Sequence, residues 1–360
     1  MKLFNVGAMR PATDDARFAA ASDLVQRTLA QHGLSGRGGQ NALPHTFNMP
    51  SLDGMLAQFS QPADSSGASK VDVPQGAQFH NDTFICDAGT RTFRTYVPAS
   101  ALDGAAGVVM MLHGCTQTPD DFAAGTGMNA LAEVHRFIVV YPAQSRGDNA
   151  QSCWNWFSRG DQRRGRGEPA ILAGITAQVC AEYGVGRDRT FVAGLSAGAA
   201  MAAILGETYP DVFAAVGAHS GLAVGSARDV ASAFAAMGGN ALDGPTPTER
   251  GAAVRSIVFH GSADGTVHPS NGDQIVRRAL DATARQSVEA VEHGQTGGRD
   301  FTRKVSSDAQ GDPVVEHWTV KGQGHAWSGG QSAGSYTDTS GPDASAEMIR
   351  FFFNTPDKDS

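Results

Sequence analysis

Short apolar runs alternate with longer amphipathic stretches along most of the chain. Short apolar runs bounded by polar turns are typical of strands buried in a parallel sheet, and the longer stretches are typical of helices that cover both faces of the sheet. The pattern therefore predicts an α/β domain with a mostly parallel central sheet. The strands are predicted at 108–112, 137–140, 190–193, 257–259 and 314–320, and the helices at 121–135, 168–183, 197–209 and 344–352.

The first 76 residues differ from the rest of the chain. Residues 13–33 carry apolar side chains at near-helical spacing, which predicts one amphipathic helix. Most of the segment that follows is rich in Gly, Ser, Pro, Asn and Gln, which is typical of an extension rather than a second core. Residues 79–97 then predict two strands joined by a tight turn. We therefore predict a helix-bearing Gly/Ser/Pro-rich extension over 1–76 and one catalytic α/β domain over 77–360.

The charge balance limits the partners of the protein. The chain has 28 Lys and Arg against 36 Asp and Glu, a net charge of −8, whereas nucleic-acid binding requires a basic surface. No run is long enough to span a membrane, for which about 18 apolar residues are needed. The N-terminus has no apolar segment typical of a secretory signal. The chain as given is therefore expected in the cytoplasm, and a secreted or periplasmic location stays open if a leader has been removed.

The four cysteines are Cys86, Cys115, Cys153 and Cys180. They form no Cys-x-x-Cys pair and no cluster with histidines, so we expect no metal site. In the cytoplasm all four are expected to be reduced thiols that pack as small apolar side chains. A bridge between Cys115 and Cys153 stays open if the protein is exported.

The strongest chemical signal is the segment Gly194-Leu195-Ser196-Ala197-Gly198. It follows a predicted strand and opens a predicted helix, which is the setting of a nucleophile elbow. In such an elbow, glycines allow a turn too tight for larger side chains, and the serine hydroxyl is held out at the edge of the sheet. Ser196 is therefore the predicted nucleophile.

A serine nucleophile needs a histidine base and a carboxylate that orients this base. Where a nucleophile elbow occurs, the chain order is Ser, then Asp or Glu, then His. Asp264 lies in the loop after the strand predicted at 257–259, and His325 lies in a Gly-rich loop after the strand predicted at 314–320. We predict Asp264 and His325 as the partners of Ser196. The rivals His260, His268, His293, His317, Asp243 and Asp273 are less well placed.

Acyl transfer also needs backbone N–H groups that bind the oxyanion. One is expected from Ala197, the residue after the nucleophile, and the other from the loop after the strand predicted at 108–112. In that loop we predict Cys115, acting through its backbone N–H and not through its thiol.

Aromatic and basic residues near these loops are candidate substrate contacts. Tryptophans beside a catalytic loop can form an apolar wall for an acyl chain or a polymer, and they can also fill the core. We predict the wall for Trp327 and leave both alternatives open for Trp154 and Trp156. The basic segment 159–166 is interpreted first as a solvated loop with surface ion pairs, and second as a site that captures carboxylates. Its candidate contacts are Arg163, Arg164 and Arg166.

Four blocks of the sequence belong together: His113-Gly114-Cys115-Thr116-Gln117, Cys153-Trp154-Asn155-Trp156-Phe157, 194–198 and Gly324-His325-Ala326-Trp327. They resemble the catalytic domains of type 1 short-chain poly(3-hydroxyalkanoate) depolymerases, over about residues 80–355. The resemblance implies an α/β-hydrolase fold, an acyl-enzyme and no cofactor, with Ser196, Asp264 and His325 at the positions of the family's triad and Cys115 at its oxyanion position. The family is similar to feruloyl and acetylxylan esterases and includes poly(aspartic acid) hydrolases.

The expected function is hydrolysis of poly(3-hydroxybutyrate)-like ester bonds by a serine hydrolase that needs no metal. Two alternatives stay open. One is a poly(aspartic acid) hydrolase that uses the same three residues, with the arginines steering the polyanion. The other is a non-catalytic protein that binds a polymer or a granule. The expected partner is a polymeric or oligomeric ester, or polyaspartate, and a homodimer is left open.

Overall fold

The fold is described from a computed structural model that covers residues 71–244, 254–283 and 288–353. The helix predicted at 13–33 and most of the predicted extension lie outside these ranges. The boundary between residues 76 and 77 therefore stays a prediction.

One sheet of ten strands forms the centre of the described chain, in the order β1-β2-β4-β3-β5-β6-β7-β10-β9-β8. The strands from β4 to β10 in this order run parallel. Antiparallel hairpins, β1–β2 and β8–β9, form the two ends of the sheet. The strands are β1 (Gln78–Cys86), β2 (Gly89–Val97), β3 (Gly107–Leu112), β4 (Phe137–Pro142), β5 (Thr190–Leu195), β6 (Ala215–His219), β7 (Arg255–Gly261), β8 (Val288–Thr296), β9 (Arg299–Ser307) and β10 (Pro313–Val320).

Seven α-helices connect or flank these strands within the described residues. The helices and strands predicted within the described residues are present, with one exception. The single helix predicted at 121–135 is wrong, because Gly127 has a φ of +63° and ends one helix while preceding the next. The helices are α1 (Pro119–Thr126), α2 (Met128–His135), α3 (Gly167–Tyr183), α4 (Ala197–Thr208), α5 (Val230–Met237), α6 (Ser270–Ala282) and α7 (Ala344–Phe353). Two short strands, β11 (Trp327–Ser328) and β12 (Thr337–Asp338), pair in parallel.

The core lies on both faces of the sheet, as expected for parallel strands covered by helices. Alternate residues of β3 face opposite ways: Met110 packs with Leu172 of α3 and Met201 of α4 in one cluster. Met111 packs with Phe352 of α7 in the other. The α/β class predicted from the apolar runs is confirmed. No helix in the described ranges is long and apolar enough to cross a membrane.

A buried carboxylate ties the end of the sheet to the last helix. Glu316 of β10 is fully buried and accepts hydrogen bonds from Arg303 of β9 at 2.8 Å and from Arg350 of α7 at 2.6 Å. The indole of Trp318 donates to the same carboxylate at 3.2 Å. Removing one partner of a buried ion pair is strongly destabilising, because the remaining charge stays buried without a counter-charge.

Replacing Glu316 by Ala is expected to lower the free energy of unfolding by about 3–5 kcal/mol, because both guanidinium groups then lose their shared carboxylate. The measurement is urea unfolding followed by circular dichroism. Glu347→Ala is the matched control: Glu347 binds the same Arg350 at 2.7 Å but is more exposed, and its loss should cost about 1 kcal/mol or less. If Glu316→Ala and Glu347→Ala lowered the free energy of unfolding equally, Glu316 would not be the carboxylate on which this buried network depends.

Candidate active site

Ser196 sits in the turn between β5 and α4, with a φ of +57° and a ψ of −118°. The turn is tight because Gly194 and Gly198 have no Cβ atom, so neighbouring backbone segments approach them closely. A Cβ on Gly198 would collide with the carbonyl oxygens of Leu112 and His113 at the end of β3, and a Cβ on Gly194 would collide with the backbone of Gly198. The segment therefore has the strand–turn–helix geometry of a nucleophile elbow.

The parallel pairing of β5, β6, β7 and β10 brings the loops after these strands to one edge of the sheet. Ser196 follows β5, Asp264 follows β7 and His325 follows β10. The His325 Nδ1 atom lies 2.8 Å from Asp264 Oδ2. Since a carboxylate only accepts, the neutral ring carries its proton on Nδ1 and leaves Nε2 as a lone-pair acceptor. This tautomer is the one that a general base for a serine requires.

Asp264 is held as a buried anion. Its Oδ1 atom accepts from the backbone N–H groups of Thr266 at 2.9 Å and Val267 at 2.8 Å. The imidazole of His260 lies against Oδ2 at 3.4 Å. Burial raises the pKa of the Asp264 carboxyl, but hydrogen bonds from His260, His325 and Val267 outweigh burial and hold the pKa well below its usual range. Asp264 therefore stays ionised and keeps His325 oriented.

A second histidine, His219, joins two of the three loops, and nothing in the sequence pattern singles it out. It ends β6, and its backbone carbonyl accepts from Ser196 N–H at 2.9 Å. Its ring Nε2 accepts from Ser328 N–H at 3.0 Å, three residues beyond His325. Burial, followed by the nearby His260 and His325, lowers its pKa to about 3, so the ring stays neutral.

The ring of His219 is also clamped between aromatic side chains. It stacks on Phe259 with centroids 5.7 Å apart and on Trp327 with centroids 5.2 Å apart. Stacking and the Ser328 hydrogen bond together hold the loop that bears His325 against the centre of the sheet.

The candidate oxyanion loop follows β3 and is closely fastened. The Gln117 side chain accepts from Gly114 N–H at 2.9 Å, and a neutral His113 accepts from Gln144 N–H at 3.1 Å. Burial lowers the pKa of His113 to about 4. The N–H groups of Cys115 and Ala197 donate to no acceptor among the described residues. Both are available to an oxyanion, as expected for the first N–H of a helix in the case of Ala197.

A disulfide joins Cys115 to Cys153, with Cα atoms 4.2 Å apart. The expectation of four reduced thiols is therefore wrong for these two, and the bridge that the sequence left open is present. Cys86 and Cys180 are free. The bridge closes a loop with a sequence separation of 38, for which the chain-entropy model gives a stabilisation of about 4 kcal/mol. It also anchors the candidate oxyanion loop to the segment that carries Trp154 and Trp156.

The three tryptophans do not line a wall. Trp327, for which the wall was predicted, is 1% exposed, and its indole N–H donates to Ser345 at 3.1 Å. Trp154 is fully buried and donates to the carbonyl of His113 at 3.0 Å. Trp156 is 5% exposed. The prediction for Trp327 is wrong because a buried acceptor satisfies its N–H, which removes the reason for the ring to reach solvent.

The arginines of the basic segment are exposed, but they are not equivalent. Arg164 makes a bidentate ion pair with Asp211, at 2.5 and 2.7 Å, and lies over the ring of Tyr209. Arg164 is therefore committed to a surface ion pair, in line with the first interpretation of this segment. Arg163 and Arg166 lie on the surface, and no contact of theirs points to a substrate.

Beneath the disulfide lies a buried network around Glu168 at the start of α3. The carboxylate accepts from the backbone and side chain of Asn155, at 2.7 and 2.9 Å, and from Gln144. Arg91 lies 3.8 Å away. Burial raises the pKa of Glu168 to about 7, and the hydrogen bond from Asn155 and the charge of Arg91 oppose this rise only in part. In the described residues, no three acidic, histidine or cysteine side chains converge to hold a metal ion.

The raised pKa of Glu168 predicts a pH-dependent stability. The folded protein holds this proton more tightly than the unfolded chain, so the contribution is fully present below the ordinary pKa of about 4.5 and is lost as the pH rises through about 7. Glu168→Gln should remove up to about 3 kcal/mol of the stability change between pH 4.5 and 8. Urea unfolding at several pH values measures it. Glu182→Gln, at an exposed carboxylate, is the control. The prediction would be refuted if the free energy of unfolding varied with pH in the same way in wild type and in Glu168→Gln.

Comparisons with known proteins show which family the chain belongs to. The family model "Esterase PHB depolymerase" matches residues 92–296. The chain is 35% identical over 252 residues to poly(3-hydroxyalkanoate) depolymerase C of Paucimonas lemoignei, which covers 67% of this chain and 60% of that protein. It is 30% identical over 253 residues to a probable acetylxylan esterase A of Aspergillus clavatus, which covers 62% of this chain and 81% of that protein.

A solved structure supports the fold. The acetyl xylan esterase from Aspergillus awamori matches with a TM-score of 0.60 and 21% identity, covering 77% of this chain and 98% of that one. The predicted α/β-hydrolase fold and the resemblance seen in the sequence blocks are confirmed. The chain spans about 60% of the length of the depolymerase from Paucimonas lemoignei. The chain belongs to the Esterase PHB depolymerase family.

Proposed function

We propose that this protein is a serine hydrolase that cleaves ester bonds of poly(3-hydroxybutyrate)-like polyesters. One observation carries the proposal: the imidazole of His325 is hydrogen-bonded through Nδ1 to a buried Asp264 carboxylate, at the sheet edge that also holds the elbow of Ser196. A histidine fixed in this tautomer by a permanent anion is a general base for a hydroxyl group. The polyester class is supported by the identity to the poly(3-hydroxyalkanoate) depolymerase.

In the first half-reaction, Ser196 Oγ attacks the ester carbonyl carbon while His325 Nε2 takes the hydroxyl proton. The carbonyl oxygen becomes an oxyanion, and the N–H groups of Cys115 and Ala197 donate to it. The intermediate then collapses, and the bond to the alcohol oxygen breaks. His325 returns its proton to that oxygen, so an alcohol leaves and an acyl ester remains on Ser196.

In the second half-reaction, water replaces the alcohol. His325 Nε2 takes a proton from water as the water oxygen attacks the acyl carbon, and the same two N–H groups bind the new oxyanion. The bond to Ser196 Oγ breaks, and Oγ regains its proton from His325. The product is a carboxylic acid, and the enzyme is restored. Asp264 keeps its charge throughout and stabilises the imidazolium that forms in each half-reaction.

Replacing Ser196 by Ala should reduce the hydrolysis rate by at least about 10⁴-fold without loss of folding, because the three residues act as a unit. Soluble product release from amorphous poly(3-hydroxybutyrate) measures the rate, and circular dichroism measures folding. Ser226→Ala is the matched control, since Ser226 is a buried serine whose Oγ lacks a hydrogen-bond partner. Turnover above a tenth of wild type in Ser196→Ala would overturn the nucleophile assignment.

The same assay separates the substrate classes. Acetylated xylan is the competing ester, because an acetylxylan esterase is also a relative. Release of hydroxybutyrate oligomers supports the polyester proposal. Release of acetate alone would keep Ser196 as the nucleophile and move the substrate to a carbohydrate ester. Absence of both products, together with no labelling of Ser196 by a fluorophosphonate, would revive a non-catalytic role.

We also propose that the protein works in an oxidising compartment, because a structural disulfide persists there and is rare in reducing cytosol. The bridge between Cys115 and Cys153 supports this. In the native cells, alkylation under denaturing conditions should label Cys86 and Cys180 at once and the other two only after reduction. Full labelling of Cys115 before reduction would contradict the proposal, and the two free cysteines serve as internal controls.

A further inference from the structure

One residue of the candidate oxyanion loop and one residue that contacts it hold a backbone conformation that their side chains disfavour. Thr116, directly after Cys115, has a φ of +66°, and Tyr336 has a φ of +51°. For a β-branched or bulky residue, a positive φ is an outlier that costs roughly 1–3 kcal/mol. The two belong to loops that are far apart in sequence, and their side-chain hydroxyl oxygens lie 3.3 Å apart.

The loop that bears Tyr336 is fixed on both sides. The backbone carbonyl of Tyr336 accepts from Trp327 N–H at 2.8 Å, two residues beyond His325. The preceding Ser335 donates its N–H to Asp121 of α1 at 2.9 Å, and its carbonyl accepts from Gln117 at 3.0 Å. These contacts fix the backbone at Tyr336, and the hydroxyl contact with Thr116 joins its side chain to the candidate oxyanion loop.

This ring is also unusual in its exposure. Tyr336 is 38% exposed and is the one aromatic among the exposed large apolar side chains in the described ranges. The tryptophans near the site are all buried. A tyrosine contributes a large apolar face at low entropic cost, because its side chain has few rotatable bonds. Pre-ordering by Thr116 lowers that cost further.

We infer that the Tyr336 ring, held by the Thr116 hydroxyl, is the apolar wall on which the alkyl part of the ester packs beside the scissile bond. The inference rests on the proposed ester hydrolysis and adds a specificity-determining residue to it. The ligand class is a short aliphatic acyl or hydroxyacyl group. When its methyl and methylene groups pack on the ring face, they are removed from contact with water. This transfer strengthens binding by up to about fourfold for each methylene.

The test compares wild type with Tyr336→Asn on p-nitrophenyl acetate, butyrate and hexanoate. Asparagine accepts a positive φ more readily than most residues, so this variant removes the ring and keeps the backbone. The gain with chain length is the ratio of kcat/KM on hexanoate to kcat/KM on acetate. We expect this ratio to fall at least about tenfold in Tyr336→Asn, mainly through a higher KM for hexanoate. An unchanged gain would overturn the inference. Val134→Asn, at an exposed apolar position on α2, is the control and should keep the gain.

Two further variants test the role of the hydroxyl pair. Tyr336→Phe and Thr116→Val each remove the same hydrogen bond but keep the ring. If the bond positions the ring, each should reduce the gain with chain length, and the double variant should lose no more than either single one. Additive losses would show that the two hydroxyls do not act together and would remove Thr116 from the inference.

A fluorophosphonate separates failure of this inference from failure of the proposed function. If Ser196 of the wild type is not labelled and the wild-type protein hydrolyses no ester, the proposed function has failed. The Tyr336 ring then has no ester to bind, and the inference fails with it. If Ser196 reacts normally in wild type and in Tyr336→Asn, but the gain with chain length is the same in both, the hydrolase proposal stands and the wall is wrong. Circular dichroism of each variant confirms that it is folded.

Discussion

The contact between Gly198 and the end of β3 is the constraint on which the site depends. The backbone of the elbow meets the carbonyl oxygens of Leu112 and His113 at a distance that leaves no room for a Cβ atom. This approach places the helix start that carries Ala197 beside the loop that carries Cys115. Two segments from distant parts of the chain therefore lie side by side, and Ser196 has a positive φ at the turn that connects β5 to α4.

Neutral histidines fasten the loops around that contact. The ring of His113 accepts a hydrogen bond from the N–H of Gln144, in the segment that follows β4. The ring of His219 accepts one from the N–H of Ser328, in the loop that follows β10. Burial keeps both pKa values low, so each ring offers a lone pair to a backbone N–H without introducing a charge. Asp264 carries a charge beside these loops, and it is stabilised by hydrogen bonds from two backbone N–H groups of its own loop and from the imidazoles of His260 and His325.

Features that follow a strand could be predicted from the sequence, and features that depend on long-range contacts could not. Position after an apolar run is sufficient to bring Ser196, Asp264 and His325 to one edge of the sheet. His219 and Ser328 are 109 residues apart, and Thr116 and Tyr336 are 220 apart, so no local pattern marks either pair. Loop position suggested an exposed Trp327, but Ser345 provides a buried acceptor. The β8–β9 hairpin was missed because strand β8 is exposed and lacks an apolar run.

The titration behaviour of the buried polar groups has a consequence for the surroundings in which the protein can persist. Ester hydrolysis releases one carboxylic acid for each bond broken, so a hydrolase bound to a dense substrate acidifies the liquid around itself. His219 and Asp264 keep their charge states as the pH falls from neutral to mildly acidic values, and Glu168 favours the folded state more in acid than at neutral pH. The charge states that hold the candidate site together are thus insensitive to the acid that the proposed reaction would release.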